Sequence, residues 1–347
     1  MLTRCIGLIV LAFVVASSCG CSKPASERPF IDSYLDITKP ASISEGSPTG
    51  LPPSVLDTSV EEHPEMIGSV YLPRDYFSDK TLQQKMVIAR NLLTKGQFSS
   101  ARDQLLEVLR IKEKDPLASF MLALAFQGTG DSEREKLMLL RTLDLDSRNP
   151  VAYYNLGCLY LNSGDDLKAL KCFDASIELD PGNASALYNK AYIAMKWRLF
   201  DSAVSWLRLA HGIDPWNYDI LLNLGYCCER TGRVAQAEAC YLDAIALDGN
   251  RPEALDNLCA LYLGSDRLAE AFEYAVKWRA VEANWQCKHR MAAISAAAGD
   301  LPASEEYLKE AFADGCDLFY ETLNDPIFRK LFDASPALAE QLERLSH

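Results

Sequence analysis

Large apolar and small residues recur along this chain with a 34-residue period, from about Leu82 to Cys316. The third copy shows the pattern most fully. Tyr153, Leu156, Gly157 and Tyr160 fall on one helical face, Gly164 marks a turn, and Ala169, Phe173 and Ser176 fall on a second helical face closed by Pro181. Spacings of three and four residues on either side of a glycine predict two amphipathic helices joined by a tight turn. A unit of this size cannot bury its apolar face alone, so a fixed period of this length predicts helix pairs that stack on their neighbours. The copies begin near Leu82, Pro116, Pro150, Ala184, Tyr218, Pro252 and Gln286.

The fifth copy repeats the pattern as Leu221, Leu224, Gly225, Gly232, Ala237, Tyr241 and Ala244, and the fourth and sixth place Ala203 and Ala271 at the same small position. These residues resemble the tetratricopeptide repeat (TPR) family. The resemblance implies an all-α, right-handed TPR solenoid of about seven helix-turn-helix repeats over 81–316, with boundaries near 82–115, 116–149, 150–183, 184–217, 218–251, 252–285 and 286–316. Arg198 and Asp266 stand where the turn glycine is expected, Gly249 stands where Pro181 and Pro215 do, and the last copy slips by one residue near Gly299.

Residues 317–347 predict a helical cap. Asp325-Pro326 and Ser335-Pro336 each place a proline behind a residue suited to N-capping, and Leu338, Leu342 and Leu345 share one face. Such a cap covers the apolar end of the last repeat.

The N-terminal quarter reads differently. Met1 to Arg4 is basic, Cys5 to Val15 is apolar, and Ala16-Ser17-Ser18 is a small-residue cleavage region, so residues 1–21 predict an export signal. The cysteines that follow, Cys19 and Cys21, resemble the lipidated cysteine of bacterial lipoproteins, although neither has the usual aliphatic residue three places upstream. The resemblance implies a chain anchored by lipid on the periplasmic side, with the outer membrane favoured because no Asp follows either cysteine. A simply secreted chain and a retained signal anchor stay open. Residues 22–80 hold eight of the sixteen prolines and no sustained period, which predicts a Pro/Ser-rich flexible tether.

Charge narrows the partners. A formal net charge of −13 without a Lys or Arg run argues against nucleic acid and against docking of the folded part on anionic lipid. Another protein or an extended peptide is the expected partner, held in the concave surface that first helices form in TPR proteins. At one such position four successive repeats carry Asn155, Asn189, Asn223 and Asn257. An amide side chain offers an acceptor and two donors, so it can pair with both polar groups of a peptide bond whatever the peptide's side chains. Tyr154, Tyr188, Tyr192 and Tyr226 are expected on the same surface, where their area and polar tip suit contact. Both sets have a second reading: the asparagines can stabilise neighbouring backbone, and the tyrosines can pack between first helices. The surface also carries Asp219, Glu229, Arg230, Glu253, Asp256 and Arg290, without the basic pair that capture of a C-terminal carboxylate needs. Roles in pilus, secretion or wall-machinery assembly are implied by the resemblance to repeat-bearing envelope lipoproteins, with no choice among them.

Cysteine is the feature that points to another class. Beyond the signal region lie Cys158, Cys172, Cys227, Cys228, Cys240, Cys259, Cys287 and Cys316, with no CxxC or zinc spacing. Buried thiols, disulfides, and a metal or redox site built on Cys287, His289 and Cys316 are the three readings. The four histidines are scattered and no catalytic motif appears, so neither an enzyme nor a cofactor is expected. A homo-oligomer formed through the ends or convex face of the stack is a further structural possibility.

Overall fold

The computed structural model describes residues 66–67, 70–71 and 80–346. The signal region, Cys19, Cys21 and most of the predicted tether lie outside the described residues. Two short strands, β1 (Met66–Ile67) and β2 (Val70–Tyr71), pair antiparallel with Met66 opposite Tyr71. They fall in a stretch whose composition predicts no regular structure.

From Lys80 onward the described chain is helical and all-α, a TPR-type solenoid of consecutive helix pairs. The chain divides into two compact units at Ala186/Leu187. The unit ending at Ala186 contains α1 (Lys80–Thr94) with α2 (Phe98–Ile111), α3 (Pro116–Thr129) with α4 (Ser132–Leu145), and α5 (Pro150–Asn162) with α6 (Asp166–Leu179). In the other unit lies most of α7 (Ala184–Lys196), followed by α8 (Phe200–Ile213). There α9 (Tyr218–Arg230) packs with α10 (Val234–Leu247), α11 (Pro252–Gly264) with α12 (Leu268–Val281), and α13 (Trp285–Ala298) with α14 (Leu301–Ala313).

The helix starts are chemically specified. Asp115, Asn149, Asn217 and Asn284 each accept a hydrogen bond from a backbone N–H of the first turn that follows, and Asp131, Asp165 and Asp300 do the same for second helices. Pro116, Pro150 and Pro252 occupy the first helical position, where the missing N–H costs nothing. Between the helices of a pair, Gly96, Gly130, Gly164, Gly232 and Gly299 take positive φ. Arg198 (φ 62°) and Asp266 (φ 58°) adopt the same left-handed geometry, so the turn survives both replacements of glycine.

Inside two of the pairs a glycine meets a ring. A Cβ on Gly157 would sit 2.7 Å from the Phe173 ring, and one on Gly225 would sit 2.6 Å from Tyr241. The facing small position on the second helix is Ala101, Ala169, Ala203, Ala237 and Ala271, each wholly buried. The second repeat departs: Glu135 occupies that place, 4% exposed. Burial alone pushes its carboxyl pKa up to about 8.

The C-terminal segment comprises α15 (Phe319–Asn324), a 3₁₀ turn (Pro326–Phe328), α16 (Arg329–Ala334) and α17 (Ala337–Leu345). Phe328, Leu331, Leu338 and Leu342 join Leu308, Ala311 and Phe312 of α14 in one apolar cluster, so this segment does cover the last pair. Asp325 caps the 3₁₀ turn as expected, accepting from Ile327 N–H. Ser335 does not cap α17. Its hydroxyl instead donates to Glu305 of α14 at 3.0 Å, which ties the cap to the repeat it covers.

Candidate protein-interaction surface

In the unit from Leu187 onward, first helices touch one another directly, α9 on α11 and α11 on α13. Their side chains form a polar row. Asn223, 2% exposed, donates from its amide to the Tyr188 hydroxyl at 2.7 Å, while its amide oxygen is buried without a partner among the described residues. One repeat further, Asn257 is 4% exposed and its amide nitrogen is buried and unpartnered. Beyond it Arg290 donates to Asp256 from two nitrogens, at 2.8 and 2.9 Å, a half-buried pair linking α13 to α11. Glu229 accepts from Tyr241 at 3.0 Å, and burial raises its pKa.

A second network joins the fifth and sixth repeats. Helix α11 begins after Arg251, which makes no side-chain cap. Instead the Tyr218 hydroxyl of α9 accepts from Ala254 N–H at 3.0 Å. Arg251 lies 3.8 Å over the Tyr218 ring and pairs with Asp219 at 2.9 Å. Tyr218 therefore does the work that Asp115 or Asn149 does locally elsewhere.

The remaining expected residues divide by burial. Tyr226 and Tyr192 are 7% and 9% exposed, whereas Tyr188 and Asn189 are half-buried. In the unit ending at Ala186, Asn155 is buried, and Tyr154 is only 2% exposed with its ring 6.0 Å from Phe173. Tyr154 thus packs within its own repeat.

The tetratricopeptide repeat family profile matches residues 150–183, and a second tetratricopeptide profile matches residues 198–262. This is a tetratricopeptide repeat protein. Among solved structures, PilF of Pseudomonas aeruginosa is similar at 18% identity and a TM-score of 0.51, over 64% of this chain and 98% of that one. A tetratricopeptide repeat protein of Parabacteroides merdae is similar at 15% identity and a TM-score of 0.50, over 78% of this chain and 100% of that one. Both likenesses concern the fold. The comparison with curated protein sequences gives no match. Tetratricopeptide arrays act as protein-interaction scaffolds, and this chain carries one.

The eight cysteines among the described residues are free thiols, six of them buried. Burial pushes the pKa of Cys172 and Cys316 up to about 11 and that of Cys240 and Cys287 up to about 12, far from the thiolate that redox chemistry uses. His289 is engaged elsewhere: Nε2 lies 2.8 Å from Thr322 Oγ1 and the ring packs edge-on against Phe328, 5.5 Å away. Desolvation, aided by Arg290, lowers its pKa to about 4. Among the described residues, no three His, Cys, Asp or Glu groups are placed to hold a metal ion.

Proposed function

We propose that the first-helix row of the unit beginning at Leu187 binds an extended segment of another protein, with Asn223 and Asn257 pairing with its backbone. The observation that carries this reading is the pair of unmet polar atoms. Asn223 holds an unmet acceptor and Asn257 an unmet donor, on neighbouring repeats, both buried and without a partner among the described residues. Buried polar atoms are rarely left so, and a peptide group offers the complementary donor and acceptor. First helices 8 to 10 Å apart would meet an extended chain at roughly every third residue.

Asn223→Ala plus Asn257→Ala separates this role from a structural one. Either role costs the free protein the Asn223–Tyr188 hydrogen bond, about 1 kcal/mol. A purely structural role leaves the partners captured in a crosslinking pull-down unchanged, whereas peptide recognition predicts their loss from a variant that is still folded by circular dichroism.

Anchoring belongs to the same proposal. Among the described residues no helix is long and apolar enough to cross a membrane. The apolar stretch before Cys19 and Cys21 supports attachment through lipid on one of these cysteines, at the periplasmic side of the envelope. Metabolic labelling with an alkyne fatty acid tests it. Incorporation that vanishes in Cys19→Ser or in Cys21→Ser supports the anchor, and absence of label in the parent chain overturns it.

A further inference from the structure

The C-terminal cap and the last repeat meet at a histidine. Helix α15 buries one of its residues, Thr322, and the 3₁₀ turn buries one, Phe328. Both come down on His289 of α13: Nε2 lies 2.8 Å from Thr322 Oγ1, and the Phe328 ring meets the imidazole edge-on at 5.5 Å. The rest of the segment packs on α14 through Leu331, Leu338 and Leu342, with the Ser335 hydroxyl bonded to Glu305 at 3.0 Å. Helices α15 and α16 have six residues each, too short to persist by themselves, so their order depends on these contacts.

Protonation changes the first of these contacts. Desolvation under the cap keeps His289 neutral down to about pH 4, whereas an imidazole in water takes up its proton near the ordinary value of 6.5. Arg290, the next residue, adds to that effect, and its own guanidinium is committed to Asp256 of α11. Thr322 and Phe328, which meet the ring from α15 and the 3₁₀ turn, are uncharged. Among the described residues no carboxylate of α11, α12, α14 or the cap acts on the ring, so an imidazolium finds no counter-charge in the closed seat. Glu305 responds in the same direction. Lys309 first and then Ser335 hold its carboxyl below the usual carboxylate range, and acid strong enough to protonate it removes the charge to which Ser335 donates.

We propose that the C-terminal segment is an acid-released cover: as pH falls His289 takes up a proton, residues 319–345 lift from α13 and α14, and the apolar face of Leu308, Ala311 and Phe312 is bared. The sign follows from linkage. Between pH 6.5 and about 4 the lifted state binds a proton that the closed state refuses, so closure weakens by up to about tenfold per pH unit. Above 6.5 the imidazole is neutral in both states and closure keeps its full strength. This device does not depend on the peptide-binding reading of the asparagine row.

Hydrogen exchange of the full-length protein, read by mass spectrometry and corrected for the intrinsic pH dependence of amide exchange, tests it. From pH 7 to pH 4.5 the protection of residues 319–345 is expected to fall roughly fiftyfold, and that of α9 to α12 by far less. His289→Phe keeps a ring against Phe328 and removes the titrating group, so most of that fall is expected to disappear. Ser335→Ala on the same background removes the remainder that belongs to Glu305. An equal fall through α9 to α12, or an undiminished fall in a folded His289→Phe protein, overturns the cover. If that variant does not fold, the parent chain decides: a fall confined to 319–345 supports the cover, and equal protection of 319–345 at the two pH values overturns it.

Discussion

Glu135 sits where five other repeats place alanine, and its consequences follow from proton linkage. Its carboxyl pKa is about 8 in the folded protein against an ordinary value of 4.5. Between those values the folded state keeps a proton that the unfolded state has released. Stability therefore falls as pH rises from about 4.5 to about 8 and levels off above, by a few kcal/mol in all. Glu135→Ala is expected to remove that slope and to raise stability most at pH 8, as urea titrations at pH 5 and pH 8 will read. Gly225 shows the opposite constraint. A methyl group there meets the wholly buried Tyr241 ring at 2.6 Å, so Gly225→Ala is expected to cost about 1–3 kcal/mol, measured by thermal or urea unfolding.

At the level of elements, the 34-residue period, the turn glycines and the capping residues were enough to place nearly every helix, because each of these signals is local. Signals between repeats were not legible. Tyr218 marks in sequence only the start of the fifth repeat, yet its hydroxyl caps a helix that begins more than thirty residues later. Tyr218→Phe keeps the ring under Arg251 and removes the hydroxyl that accepts from Ala254 and reaches Arg251 O and Glu253 at 3.5 Å, so it is expected to cost about 1–2 kcal/mol and to fray the start of α11, visible as faster amide exchange at Ala254. Ser335 misled for a related reason: a hydroxyl before a proline looks like a cap, but a carboxylate from α14 lies within reach and forms the stronger bond. The row of asparagines was legible as a row. Its pairing with Tyr188, and the unmet atoms of Asn223 and Asn257, depend on how neighbouring repeats abut.

For the molecule as a whole, the cap decides how the array ends. Phe312, Leu308 and Ala311 are wholly buried under Phe328, Leu331, Leu338 and Leu342. Truncation after Cys316 is expected to expose that face, lower the unfolding temperature and promote self-association, which light scattering of the truncated and full-length chains will compare. The loss comes from uncovering apolar surface at about 25 cal/mol per Å², and it falls on the pair α13–α14 first.

The capping of α11 by Tyr218 also bears on how strain travels. A helix pair that holds its own cap can open as an isolated bead, with its neighbours undisturbed. The sixth repeat cannot, because its first turn is clasped by a side chain rooted in the fifth. Pulling or thermally peeling this stretch should release the two as one link, so a partner that loosens α9 is felt at the entrance of α11, a relay written into a single phenol.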